Sequence, residues 1–111
     1  MKFSFLIFGT LALFLSSCGK QKIEPPCIQD QVIDFQDGNA CKEGASVKEY
    51  KFQGELVYAF DPGICGADRT TEVVDYQCNT IGFLGGFAGN TAINGENFYQ
   101  EAKFERTLFE N

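Results

Sequence analysis

Apolar and polar positions change period several times along these 111 residues. After Met1-Lys2, Phe3 to Leu15 is apolar with no period, interrupted only by Ser4, Gly9 and Thr10. That run is shorter than the roughly 20 apolar residues a membrane-spanning helix needs. From Cys27 to Gln36 the spacing becomes helical, with Ile28, Val32 and Phe35 on one face. Pro25 and Pro26 stand where a helix can begin, and Asp37-Gly38-Asn39 ends it. The stripe predicts a helix packed against a sheet. Ser46 to Gln53 then alternates, with Val47, Tyr50 and Phe52 set among charges. Gly54-Glu55 reads as a type II′ turn, and Leu56 to Phe60 returns as a strand with one buried face. Asp61-Pro62-Gly63 ends it, residues 64–71 form a loop, and Glu72 to Cys78 is a further short strand carrying Val73, Val74 and Tyr76. Residues 79–95 hold five of the 12 glycines, which predicts an irregular segment with Phe83, Leu84, Phe87 and Ile93 turned inward. One helical turn over 97–102 and a closing strand over 103–109 complete an α+β domain: one N-terminal helix on a small, mainly antiparallel sheet.

The first segment changes the picture of where such a domain would reside. Leu15-Ser16-Ser17-Cys18 after an apolar run resembles the lipobox of bacterial lipoproteins. The resemblance implies a signal peptide over 1–17, cleavage before Cys18, and acyl chains such as palmitate on that residue. Each buried CH₂ contributes roughly 0.8 kcal/mol, so two or three chains would hold the protein to a bilayer. Gly19, where enteric-type lipoproteins retained at the inner membrane carry Asp, implies the outer membrane of the cell envelope. Residues 18–26 read as a polar tether ending in the Pro25-Pro26 pair. The remaining unit, 27–109, is a single small domain.

Composition then narrows the chemistry. Without Lys2 there are eight basic and 15 acidic side chains, a net charge near −7. That balance argues against nucleic acid as a partner. The partners expected are the membrane, through Cys18, and an envelope protein. The chain has no His, which removes the commonest general base and metal ligand and any Ser–His or Cys–His pair. No cofactor fingerprint and no catalytic residue is identified, so the reading is a non-enzyme. Cys27, Cys41, Cys65 and Cys78 imply two disulfides in an exported domain. Of three connectivities, Cys27–Cys41 with Cys65–Cys78 is expected, since both close local loops.

Four candidate sites deserve weighing. The glycines of Gly82-Phe83-Leu84-Gly85-Gly86-Phe87-Ala88-Gly89-Asn90 lack the following helix and Lys of a phosphate loop. Asn90, Asn94 and Glu96 faintly echo a calcium loop without its terminal acids; these are the weak metal candidates, and the expectation is no metal. Fifteen acids guarantee some carboxylate pair, but glycosidase chemistry also needs a pocket. Asp61-Pro62-Gly63-Ile64-Cys65-Gly66-Ala67-Asp68 resembles the Asp-Pro-x-Cys-Gly-x-Asp stretch of Kazal-type protease inhibitors. That family uses six cysteines; this chain has four besides Cys18.

At the level of the whole domain, Val47 to Gly54, Val57 to Gly63, Cys65 to Asp68, Cys78-Asn79, Leu84-Gly85-Gly86 and Gly89-Asn90-Thr91 are similar to a family of small Bacteroidota lipoproteins with a domain of unknown function. The resemblance spans roughly residues 27–109 and assigns no catalytic residue. It implies an extracytoplasmic setting; the lack of His, of a nucleophile motif and of a cofactor fingerprint, with the small size, points to a non-enzymatic binding or structural accessory module. The alternative is an inhibitor or ligand-sequestering module acting on an exported hydrolase.

Overall fold

The computed structural model describes residues 24–67 and 69–111. The leader, Cys18 and the first part of the tether lie outside the described residues, as does Asp68. The chain opens with helix α1 (Pro26–Gly38), flanked by Pro25 in an extended conformation. The Pro25 carbonyl accepts from the Ile28 and Gln29 amides at 2.9 and 3.1 Å, so Pro26, which has no N–H, falls where none is needed. At the other end the Asn39 and Ala40 amides both return to the Phe35 carbonyl. Ile28, Val32 and Phe35 are the buried stripe.

The strands are β1 (Ser46–Phe52), β2 (Glu55–Asp61), β3 (Thr70–Asp75) and β4 (Thr80–Gly85). The short β5 (Ala92–Ile93) and β6 (Glu96–Asn97) follow, then the single-turn helix α2 (Phe98–Glu101) and β7 (Lys103–Glu110). The main sheet has the order β4-β3-β2-β1-β7, and every pairing in it is antiparallel. Four consecutive strands form a meander, and the last strand returns to the free side of β1.

Three layers result. Val47, Tyr58, Phe60 and Val74 meet the stripe of α1 on one face. Phe52, Val57, Ala59, Val73 and Leu84 meet Ile93 and Phe98 on the other. Strand β2 is therefore buried on both faces through Val57-Tyr58-Ala59-Phe60, not on one. Its unbroken apolar run already has the form of a doubly covered strand.

Three expectations are corrected. The β1–β2 turn is Gln53-Gly54, because Phe52 pairs with Glu55 and both turn residues have positive φ, +53° and +83°. Two such residues make a type I′ turn, one position earlier than the II′ reading. The Gly-rich segment holds β4 and β5 instead of being irregular throughout, and within it Leu84 and Ile93 are buried while Phe83 and Phe87, expected inside, are exposed. Gly82 permits that arrangement, since a Cβ there would meet Ile93 at 3.0 Å. Gly85 and Gly86 turn the chain at φ +85° and +78°. Asn90 then closes the β4 edge: its side-chain amide donates to the Phe83 and Ala92 carbonyls at 2.7 and 2.9 Å.

The third correction concerns the bridges, which are Cys27–Cys78 and Cys41–Cys65. Cys27 lies in the first turn of α1 and Cys41 three residues past its end, with about 17 Å of helix from Cys27 to Gly38 between them at 1.5 Å per residue. A disulfide tolerates at most about 7 Å between Cα atoms. Strand β3 separates Cys65 from Cys78 in the same way. The helix stripe and the local pairing were incompatible expectations, and the helix prevails. Cys78 sits at φ +68° in the β3–β4 turn. The Asp75 carboxylate shapes that turn by accepting from the Gln77 and Asn79 amides, each at 2.9 Å.

Candidate functional site

One opening lies between the second half of α1 and the β3–β4 side of the sheet. It is a cleft of about 300 Å³, the lower end of the range for small-molecule sites. Phe35, Phe60 and Pro62 form its apolar floor, and half-exposed Phe83 stands at its mouth. Gln31 and Asp34 face it from α1, and Thr70 and Glu72 from β3. Arg69 braces one end, donating from Nη2 to the Asn39 carbonyl at 3.2 Å. Glu72 is engaged by the Thr80 hydroxyl. Among the described residues Asp34 and Gln31 use their side chains for no other bond, so the cleft offers acceptors over an aromatic floor.

A second cluster is built around one buried carboxylate. Glu49 is 1 % exposed and receives Arg106 through Nε at 3.0 Å and Nη2 at 3.3 Å. The same Nη2 reaches Glu24 at 3.0 Å, immediately before α1. The bonds to Glu49 hold the guanidinium in its charged form. The Tyr58 hydroxyl is buried beside Glu49 with no hydrogen bond of good geometry to any described residue. Burial first, and the neighbouring carboxylate second, push its pKa far above 10.0. No cleft or recess described here reaches these groups, so they serve as a strut between the sheet and the start of α1.

The Tyr58 proton has a measurable consequence. Above pH 10 the unfolded chain loses it before the folded chain does, so stability falls as pH rises. Tyr58→Phe should flatten that alkaline limb in pH-dependent thermal melts. It should also raise neutral-pH stability by about 1 kcal/mol, because an unmatched buried hydroxyl is removed. An unchanged alkaline limb would contradict this account.

On the opposite face, a recess of about 80 Å³ opens between β1–β2 and α2. Ala59, Leu84 and Phe98 form its base, and Ser46, Lys48, Tyr50, Asp61, Thr71 and Tyr99 supply its polar groups. Desolvation, then the neighbouring Tyr99 and then Asp61, raise the Tyr50 pKa; desolvation and Asp61 raise that of Tyr99. Both phenols are therefore neutral donors gathered around one carboxylate.

The residues singled out in the sequence are distributed differently. Cys27, Cys41, Cys65 and Cys78 are all structural bridges. Asn90 is the clip on β4, and Asn94 pairs with Gln53 at 3.3 Å. Glu96 starts β6 and is exposed. No group of three His, Cys, Asp or Glu side chains placed to hold a metal occurs among the described residues. The Kazal-like stretch is tied to segment 41–45: the Cys41 amide donates to the Pro62 carbonyl at 2.8 Å, the Ile64 amide donates to Glu43, and the Cys41–Cys65 bridge closes the pair. The cleft and the recess had no signal in the linear sequence, since each gathers residues from three or more elements.

A family model described as Domain of unknown function (DUF6970) matches residues 34–111. The chain belongs to that family. No curated protein and no solved structure matches it. Within the DUF6970 span fall the entire sheet, the Cys41–Cys65 bridge and the recess. Cys27 and the first two turns of α1 precede it, so the Cys27–Cys78 bridge and the Glu24–Arg106 ion pair fasten the preceding segment to the DUF6970 domain.

Proposed function

We propose that this DUF6970 protein is a non-enzymatic binding module of the cell envelope, held to the outer membrane through acylated Cys18. The cleft beside α1 carries the binding part of this reading. Two disulfides lock its walls, and unpaired Asp34 and Gln31 stand over an aromatic floor. With the Arg69 guanidinium held at one end by the Asn39 carbonyl, the acidic groups over apolar surface suit a cationic side chain with an aliphatic stem, such as a Lys or Arg of a partner protein. A basic exported hydrolase would meet the same surface, which is the form an inhibitory role would take.

Two measurements test the proposal. Cys18→Ala protein should leave the membrane fraction, and full retention there would refute the anchor. Titration of the mature chain with N-acetyl-arginine amide, followed by NMR, should shift resonances of Asp34, Phe60 and Phe83, and the effect should weaken with salt. Asp34→Lys, an exposed helical position, should abolish the shifts. Their persistence in that variant would overturn the assignment of the cleft.

A further inference from the structure

We propose that the recess between β1–β2 and α2 binds the terminal sugar of an uncharged glycan. This site lies on the face of the sheet away from the α1 cleft, and its argument is independent of that reading.

The recess combines opposed charges with neutral hydroxyls. Lys48 and Asp61 both line it, together with the hydroxyls of Ser46, Tyr50, Thr71 and Tyr99. Among the described residues only Asp61 of these spends its side chain on a hydrogen bond, accepting from the Gly63 amide at 3.0 Å, while the Tyr50 and Tyr99 rings pack edge-on against Phe98. An anionic ligand would be opposed by Asp61 and a cationic one by Lys48. A purely apolar ligand would strip water from both and leave them unmatched. The ligand that fits carries many neutral donors and acceptors and one apolar C–H face, which is the chemistry of a pyranose.

Size and exposure agree with that class. About 80 Å³ accommodates two or three waters' worth of volume at about 30 Å³ each, enough for a hydroxyl-bearing ring edge but not the whole ring. Tyr99 is 64 % exposed at the rim, so its ring is available to the C–H face of a sugar lying outside. Tyrosine suits such a place because it presents an apolar body and a polar tip with few rotatable bonds. Both phenols are protonated at neutral pH, as tyrosine ordinarily is, and so serve as donors.

The test is an NMR titration of the ¹⁵N-labelled mature chain with cellotriose, maltotriose and N,N′,N″-triacetylchitotriose. At least one should shift Tyr50, Asp61 and Tyr99 with saturation in the millimolar range, about 1 mM. Tyr99→Ala and Lys48→Met should each weaken binding about fivefold to tenfold. Phe87→Ala, an exposed aromatic in the turn after β4, should leave it unchanged. Either of the first two variants suffices if the other fails to fold. No shift by any of the three sugars at about 10 mM would overturn the proposal. So would shifts that survive both Tyr99→Ala and Lys48→Met, or that are produced instead by triglycine, a zwitterion matching Lys48 and Asp61.

Discussion

Replacing Cys27 and Cys78 together with serine should lower the unfolding free energy by about 4 kcal/mol. The bridge spans 51 residues, and a loop of that length removes more disorder from the unfolded chain than the local loops of about 15 residues expected from the sequence, worth about 3 kcal/mol each. Against a net stability of about 5–15 kcal/mol for a domain of this kind, the loss is large. Urea denaturation of the oxidised variant measures it. Peptide mapping without reductant should recover Cys27 joined to Cys78, and a Cys27–Cys41 peptide would overturn the scheme. The bridge also clamps the start of α1 to the β3–β4 turn, so amides at that helix end should lose hydrogen-exchange protection in the variant.

Arg106→Met should be comparably damaging, by about 3–5 kcal/mol, because it leaves the Glu49 carboxylate buried without its partner. The part owed to Glu24 is small, since that carboxylate is a quarter exposed and solvent screens it. The double variant Glu49→Leu/Arg106→Met should recover most of the loss, because an apolar pair of similar volume removes both charges together. Chemical denaturation of the two variants decides the point. A double variant no more stable than Arg106→Met would mean that side-chain packing, rather than the stranded charge, sets the cost.

How much of this was legible beforehand depends on the range of the interaction. The helix over 26–38, the β1–β2 hairpin and the closing strand were written in local period and turn residues. Ile28, Val32 and Phe35 each landed in the core. The Gln53-Gly54 turn was missed by one position because Gln53 adopts a positive φ, which its residue type does not announce. The glycines of 79–95 announce conformational freedom and mask the strand over 80–85, whose register shift beside Val73 and Val74 breaks the simple alternation. What joins distant segments left the weakest trace. Glu49 looked like one more charge in an alternating strand, and only the return of β7 beside β1 brings Arg106 to it. The recess gathers Ser46, Asp61, Thr71 and Tyr99 from four elements, and no spacing rule links them.

The Cys27–Cys78 bridge also determines how the folded chain answers a pull. Tension arriving from the N-terminal side reaches Cys27 and crosses the disulfide to Cys78, bypassing everything between. Helix α1 and strands β1 to β3 lie inside that closed loop of 51 residues, so traction cannot draw them out while the bridge is intact. Of the folded domain, only the stretch from Cys78 onward can lengthen, by roughly 3.3–3.6 Å for each residue released. The segment closed by the bridge therefore opens to a reductant and not to tension.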